Sequence, residues 1–205
     1  QKMYSIKPDL SCFAKAMSNG IPISAITGRK DYMKYLEKTF FSFTYGGDCI
    51  GLAAAKACIN KLEKKNVIDH LYKAGKRLKD GMNNLIQLYE LNDLLECSGY
   101  PCRTVMTIKN FSKYKKPLIT KSLIQQELMF RGVLWSQYHS ISYSHKNKHI
   151  DKTLNAFEDS LKKVKKIVHN KKNIENYLLG KPCEAVFTRV ADFQAVATSQ
   201  KIKAN

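Results

Sequence analysis

The chain has 205 residues and a mass of 23.4 kDa, with 44% hydrophobic and 25% charged residues. These proportions exclude wholesale disorder, collagen and low-complexity repeats, and no run approaches the ~20 apolar residues that a membrane-spanning helix needs. Lysine and arginine outnumber aspartate and glutamate 35 to 17, giving a net charge of +18 and a pI near 9.6.

That charge raises one reading at once, a binder of nucleic acid or of an anionic membrane. Five of the 35 basic residues are arginine (Arg29, Arg77, Arg103, Arg131, Arg189) and the rest are lysine. Bidentate contacts to bases and phosphates favour arginine. The lysines also share helical faces with acids, as in 61–65 and 151–166. A lysine-rich surface on an ordinary enzyme is therefore the favoured reading, and a non-catalytic basic module that binds nucleic acid is the alternative. The cysteines at 12, 49, 58, 97, 102 and 183 contain no Cys-x-x-Cys, so a zinc ribbon has no support. They read as free thiols in a reducing cytoplasm. Residues 1–10 hold no apolar run, and no signal peptide is expected there.

In chain order, Pro8-Asp9-Leu10 leads toward Lys15, and Ser18-Asn19-Gly20 makes a turn. Ile21–Ile26 reads as a strand ended by Gly28. Residues 39–47, TFFSFTYGG, are aromatic and β-prone, and Asp48 is placed to N-cap the small-residue helix that follows. Apolar residues at 67, 71, 74, 78, 82, 85 and 89 predict a long amphipathic helix. Residues 94–97 and 104–108 are strand-like, with Gly99-Tyr100-Pro101 as the turn between them. After a basic loop at 113–117, Ser122–Phe130 reads as a helix with Ser122 and Gln125 spaced as a capping box. Gly132 ends it, and Val133-Leu134-Trp135 reads as a further strand, with Trp135 in a core. Residues 150, 154, 157, 161, 164 and 168 mark a second long amphipathic helix, with Lys162, Lys163, Lys165 and Lys166 on its wet face. Residues 191–205 lose all periodicity and read as a loose tail.

Two residues stand out chemically. Lys15 lies between apolar neighbours (Leu10, Cys12, Phe13, Ala14) and a small-residue turn, surroundings in which an amine can act as a nucleophile toward an aldehyde. Thr44 precedes two glycines and a helix, where a hydroxyl and exposed amides form an anion site. A lysine for an aldehyde and a cradle for a phosphate within one α/β segment suit a pyridoxal phosphate enzyme. His139, His145 and His149 lie near one another, but a strand-to-helix loop explains them, and no metal is expected.

Residues 8–29, PDLSCFAKAMSNGIPISAITGR, resemble the cofactor-lysine segment of class III aminotransferases, a family that includes glutamate-1-semialdehyde aminomutases. Pro8, Asp9, Leu10, Lys15, Met17, Gly20, Pro22, Ile23, Ser24 and Ala25 fall on that segment's pattern. The stretch from Phe43 through Ala55 resembles the family's Thr-Phe-x-Gly-Asn-Pro segment, with Asp48-Cys49 in place of Asn-Pro and Phe43 in place of a small residue. Residues 132–137 and 144–157 resemble the end of the family's small domain, and Gly180-Lys181-Pro182 with Val186–Arg189 is similar to an ending of aminomutase-like members. The resemblance covers roughly residues 6–190.

The resemblance implies an α/β fold. Residues 1–65 would be the C-terminal part of a fold type I large domain, 66–190 a small α+β C-terminal domain and 191–205 a tail. It implies pyridoxal 5'-phosphate as cofactor, with Lys15 binding it and catalysing the proton transfers, and Thr44 binding the phosphate of the neighbouring subunit. A homodimer with shared active sites would act on a small-molecule amino donor and a carbonyl acceptor. In an aminomutase the acceptor is the same molecule. No arginine stands where the family's 2-oxoglutarate-using members clamp a carboxylate, and the family's other cofactor contacts fall before residue 1. The chain is thus expected to be the C-terminal half of the enzyme.

Overall fold

In the computed structural model of the chain, residues 1–40, 42–109, 117–170 and 172–184 are described. They divide into two compact units, Gln1–Asp69 and His70–Asn205, the division falling near the start of a helix.

In the first unit, Leu10–Phe13 (β1) and Ala25–Gly28 (β2) pair antiparallel, with Leu10 opposite Gly28 and Phe13 opposite Ala25. The one-turn helix Lys30–Met33 (α1) follows, and then Cys49–Lys64 (α2). The strand expected over Ile21–Ile26 is therefore shorter and begins later, at Ala25. Pro22 carries no N–H for a ladder, and the chain before Ala25 is still emerging from the Ser-Asn-Gly turn. The aromatic stretch at 39–47 forms no strand among its described residues. Thr44–Gly47 is a turn, held by Gly46 N–H to Phe43 O (3.0 Å) and Asp48 N–H to Tyr45 O (3.3 Å). The Asp48 carboxylate accepts the Gly51 N–H at 2.8 Å, so the expected N-cap of α2 is in place. Among the described residues of this unit only Ser18, Gly51, Ala55 and Val67 are buried.

The second unit contains most of Val67–Leu88 (α3), the hairpin Leu95–Tyr100 (β3) and Arg103–Ile108 (β4), then Pro117–Phe130 (α4), Tyr138–Ser140 (β5) and Asn147–His169 (α5). The sheet is antiparallel in the order β3-β4-β5. Its core gathers Leu78, Met82 and Ile86 of α3, Leu95 and Cys97 of β3, Met106 of β4, Leu123, Ile124 and Leu128 of α4, and Phe157, Leu161 and Val164 of α5. Both long helices thus bury the stripe that their spacing predicts. Trp135 joins the same core. The outer edge of β3 is closed by a side chain: Asn83 of α3 donates to Cys97 O at 2.9 Å and accepts Cys97 N–H at 3.0 Å. An amide side chain, with one donor and one acceptor face, can complete a strand in both directions.

Three expectations are corrected here. Helix α4 starts at Pro117, whose missing N–H costs nothing at the first helical position. Ser122 therefore lies inside the helix, and its hydroxyl donates to Leu118 O at 2.7 Å instead of capping an end. Val133–Trp135 is not a strand. Gly132 ends α4 at φ 73 with the paired bonds Val133 N–H to Leu128 O and Gly132 N–H to Met129 O, both 2.9 Å. The Trp135 carbonyl is then taken by the Gln125 side chain at 2.9 Å, and pairing starts only after Gln137, itself left-handed at φ 82. Lys163 and Lys165 are not simply wet. Lys163 reaches the buried Glu127 carboxylate at 2.6 Å, and Lys165 pairs with Glu90. Burial pushes the Glu127 carboxyl up, but the bonds from Lys163, Arg131 and Gln126 outweigh it and hold the group below the usual carboxylate range. The tail at 191–205, Val186–Arg189 and most of the basic loop lie outside the described residues.

The three histidines of the β5–α5 region each have a local role. Nδ1 of His145 accepts the Ser142 N–H at 2.9 Å, and Nδ1 of His149 accepts the Lys146 N–H at 3.0 Å as part of the α5 cap. His139 is buried, bonded to Trp135 Nε1 through Nε2 and to Thr104 Oγ1 through Nδ1, both at 2.9 Å. An indole N–H only donates, so Nε2 is the acceptor and the proton sits on Nδ1. Burial lowers the imidazole pKa from 6.5 to about 4. A protonated ring would also set two donors face to face.

The neutral His139 stabilises the fold in full above pH 6.5, and that contribution is lost as pH falls toward about 4. The shift corresponds to about 3 kcal/mol. Urea unfolding at pH 7.5 and pH 4 should show this loss in the unaltered chain. In His139→Gln, which keeps an acceptor for the indole, the difference between the two pH values should shrink by about 3 kcal/mol.

Candidate active site

The site begins where β1 ends. Phe13 is the last paired residue, and the chain folds into a single tight helical turn, Lys15–Met17. Met17 N–H donates to Ala14 O (3.2 Å) and Ser18 N–H to Lys15 O (3.4 Å). Entry into this turn puts the Lys15 backbone in the left-handed region, at φ 53. For a residue with an unbranched side chain and no local hydrogen-bonding group this conformation costs about 1 kcal/mol or more. Asn19 (φ 55) and Gly20 (φ 122) then reverse the chain, two residue types that tolerate such angles.

The result is an open cleft of about 590 Å³, lined by Lys15, Ala16 and Asn19–Ile23. That volume suits a small organic ligand. Lys15 is exposed, and its ammonium makes no ion pair or hydrogen bond with the described residues. A primary amine at the mouth of a cleft, with no partner to satisfy first, fits what an aldehyde-bearing cofactor requires.

The cleft has a firm floor. A Cβ at Gly51 would stand 3.3 Å from Pro22 O and 3.4 Å from Ile23 Cβ, so the first turn of α2 packs tightly against these two cleft residues and glycine fits there without displacing them. Asp48 caps that same turn and fixes its start. Sequence spacing revealed the cap and the lysine, but not this contact.

Thr44 lies five residues before the start of α2, exposed, in the turn Thr44–Gly47, and it does not line the Lys15 cleft. The Asp48 carboxylate takes one amide of the first turn of α2, that of Gly51, and the Gly46 and Asp48 amides are spent on the turn. The Thr44 hydroxyl carries no hydrogen bond to the described residues. Lys15 and Thr44 are thus one lysine in a cleft and one hydroxyl outside it.

Comparison with known proteins adds three findings. Residues 1–161 match the family model of class-III aminotransferases. Among curated relatives, a glutamate-1-semialdehyde 2,1-aminomutase of Clostridium beijerinckii is 30% identical, aligned over 78% of this chain and 40% of its own length. A 3-aminobutyryl-CoA aminotransferase of Cloacimonas acidaminovorans is 30% identical over 82% of this chain and 41% of its own. The chain spans about two fifths of these relatives. Among solved structures, the FumI protein of Sphingopyxis sp. MTA144, in a form with PLP, superposes with a TM-score of 0.73 at 20% identity, covering 87% of this chain and 42% of that one. An omega-transaminase from Sphaerobacter thermophilus superposes with a TM-score of 0.68 at 17% identity, covering 79% and 40%. At these identities the superpositions establish a shared fold. No helix among the described residues is long and apolar enough to cross a membrane.

The left-handed backbone at position 15 makes a stability prediction that is independent of chemistry. Lys15→Gly should be more stable than Lys15→Ala by about 1 kcal/mol, because glycine alone occupies that conformation without a steric cost. Paired denaturant titrations of the two variants measure the difference.

Proposed function

The chain belongs to the class-III aminotransferases, and from that membership we propose that it carries the cofactor lysine of a pyridoxal phosphate enzyme that moves amino groups between a small-molecule donor and a carbonyl acceptor. One observation carries the reading. Lys15, the residue on the family's lysine position, is held in a strained conformation with an unpartnered amine at a cleft. Backbone strain retained at one residue of a cleft is characteristic of a functional site.

Pyridoxal phosphate, when bound, supplies an aldehyde that takes up amino groups and a ring that draws electrons from the adjacent carbon. The chain's own residues do the rest. Lys15 Nζ holds the aldehyde carbon, yields it to the amine of a substrate, and then holds and returns a proton at the substrate carbon as general base and acid. Asn19–Ile23 line the same cleft as that amine. Thr44, by the family resemblance of its segment, offers its hydroxyl to the phosphate of a second copy's cofactor, and a homodimer with shared sites goes with that reading.

The rest of the assignment is coarser. Gln1–Asp69 corresponds to the end of a fold type I large domain and the second unit to the small α+β domain, so the activity belongs to a protein that also carries the part of the family's length this chain does not span. The six free cysteines suit a reducing cytoplasm. Transfer within one molecule, as in an aminomutase, is the second reading, favoured by the aminomutase relative. A nucleic-acid module finds less support. Lys76, Lys109, Lys162, Lys163 and Lys165 all pair with carboxylates, and lysines so engaged are poorly placed to neutralise phosphates.

Treating the full chain with pyridoxal phosphate, then borohydride, and mapping the labelled peptides tests the assignment. The expected product has the label predominantly on Lys15, with none at that position in Lys15→Ala. Equal labelling across the lysines of the unaltered chain would overturn it.

A further inference from the structure

Ser18 does not line the cleft, yet its hydrogen bonds reach two residues that do. It is 3% exposed, one of four buried described residues in its unit and the only one there with a polar side chain. Its backbone N–H donates to Lys15 O at 3.4 Å. Its hydroxyl donates to Ile21 O. Both acceptor residues, Lys15 and Ile21, line the cleft. Between them, Asn19 and Gly20 turn through left-handed backbone angles that add no rigidity of their own.

We propose that Ser18 is a positioning residue: its buried hydroxyl, bonded to Ile21 O, closes the loop over Lys15–Ile23 and so holds the Lys15 amine toward the cleft for reaction with an aldehyde. The inference rests on the reading of Lys15 as the aldehyde-binding amine. Lys15 pays a conformational cost to stand where it does, and the loop must be fastened elsewhere to keep it there. The β1–β2 pairing of Phe13 with Ala25 holds the ends of this loop, and the Ser18 hydroxyl is the side-chain fastening within it. In Ser18→Ala the carbonyl of Ile21 loses its donor, and Lys15 is free to relax toward an ordinary backbone conformation with its amine displaced. A threonine keeps the hydroxyl.

The test uses the full chain with pyridoxal phosphate as the probe and borohydride trapping, and it reads the share of label on Lys15 against the share on the other lysines. Those lysines serve as an internal standard, since a general change in reactivity or folding moves them together. Ser18→Ala should lower the Lys15 share about tenfold, the effect of losing one buried hydrogen bond, with the other shares unchanged. Ser18→Thr should restore it. An unchanged Lys15 share in Ser18→Ala would overturn the inference while leaving the assignment of Lys15 intact. If Ser18→Ala fails to fold, a Ser18→Thr variant labelled at Lys15 less than half as well as the unaltered chain would overturn it equally. Absence of a selective Lys15 label in the unaltered chain would remove the functional assignment, and this inference with it.

Discussion

A lysine whose backbone is forced left-handed, directly after the last paired residue of a strand, is the constraint around which the first unit is arranged. The conformation is unfavourable for that side chain, so it persists only because neighbours leave no alternative. Strand β1 fixes the chain up to Phe13, the Ser18–Ile21 bond fixes it again just after the turn, and α2 packs its first turn against Pro22 and Ile23. The outcome is an amine presented at a cleft, with its position set by backbone geometry more than by contacts of its own long side chain. A site built this way places its reactive atom without an ion pair that a ligand would first have to break.

The sequence revealed those features that depend on near neighbours. The stripes on α3 and α5 repeat over many turns, and helical spacing across that length has few competing explanations. Asp48 caps α2 because the bond it makes reaches only three residues ahead. What stayed hidden depends on partners distant in sequence or on chain geometry. Val133–Trp135 is as β-prone as any stretch of the chain, yet the Gln125 side chain takes the Trp135 carbonyl. Lys163 looked like surface until Glu127, 36 positions away, claimed it. At the site, Lys15 and the Ser-Asn-Gly turn were visible as residue types. The positive φ of Lys15 and the burial of Ser18 were not, since neither leaves a mark on composition or spacing. At Thr44 the glycines before a helix suggest amides open to an anion; Asp48 takes the Gly51 amide, and the turn takes those of Gly46 and Asp48.

The two units differ sharply in how they bury apolar surface. The second closes a core around Phe157, Met82 and Leu123, each fully enclosed. The first leaves Phe40, Phe43, Tyr45, Ile50 and Leu52 facing outward, and its sheet has only two strands. A two-stranded sheet is marginal in water by itself. The lysine cleft thus lies in the less self-sufficient unit. The precision of the lysine loop must come from local fastenings, because little core lies beneath it.

The bond between Trp135 and His139 has a consequence for observation. Trp135 is the sole tryptophan of the chain, and its indole nitrogen is tied to the ring whose proton count changes as the second unit is acidified. An imidazolium draws charge from an excited indole, whereas a neutral imidazole leaves its emission largely alone. The chain therefore contains its own optical gauge. Fluorescence at a single wavelength follows the state of the interior without any added label, and it does so in the unit where the reactive lysine does not reside.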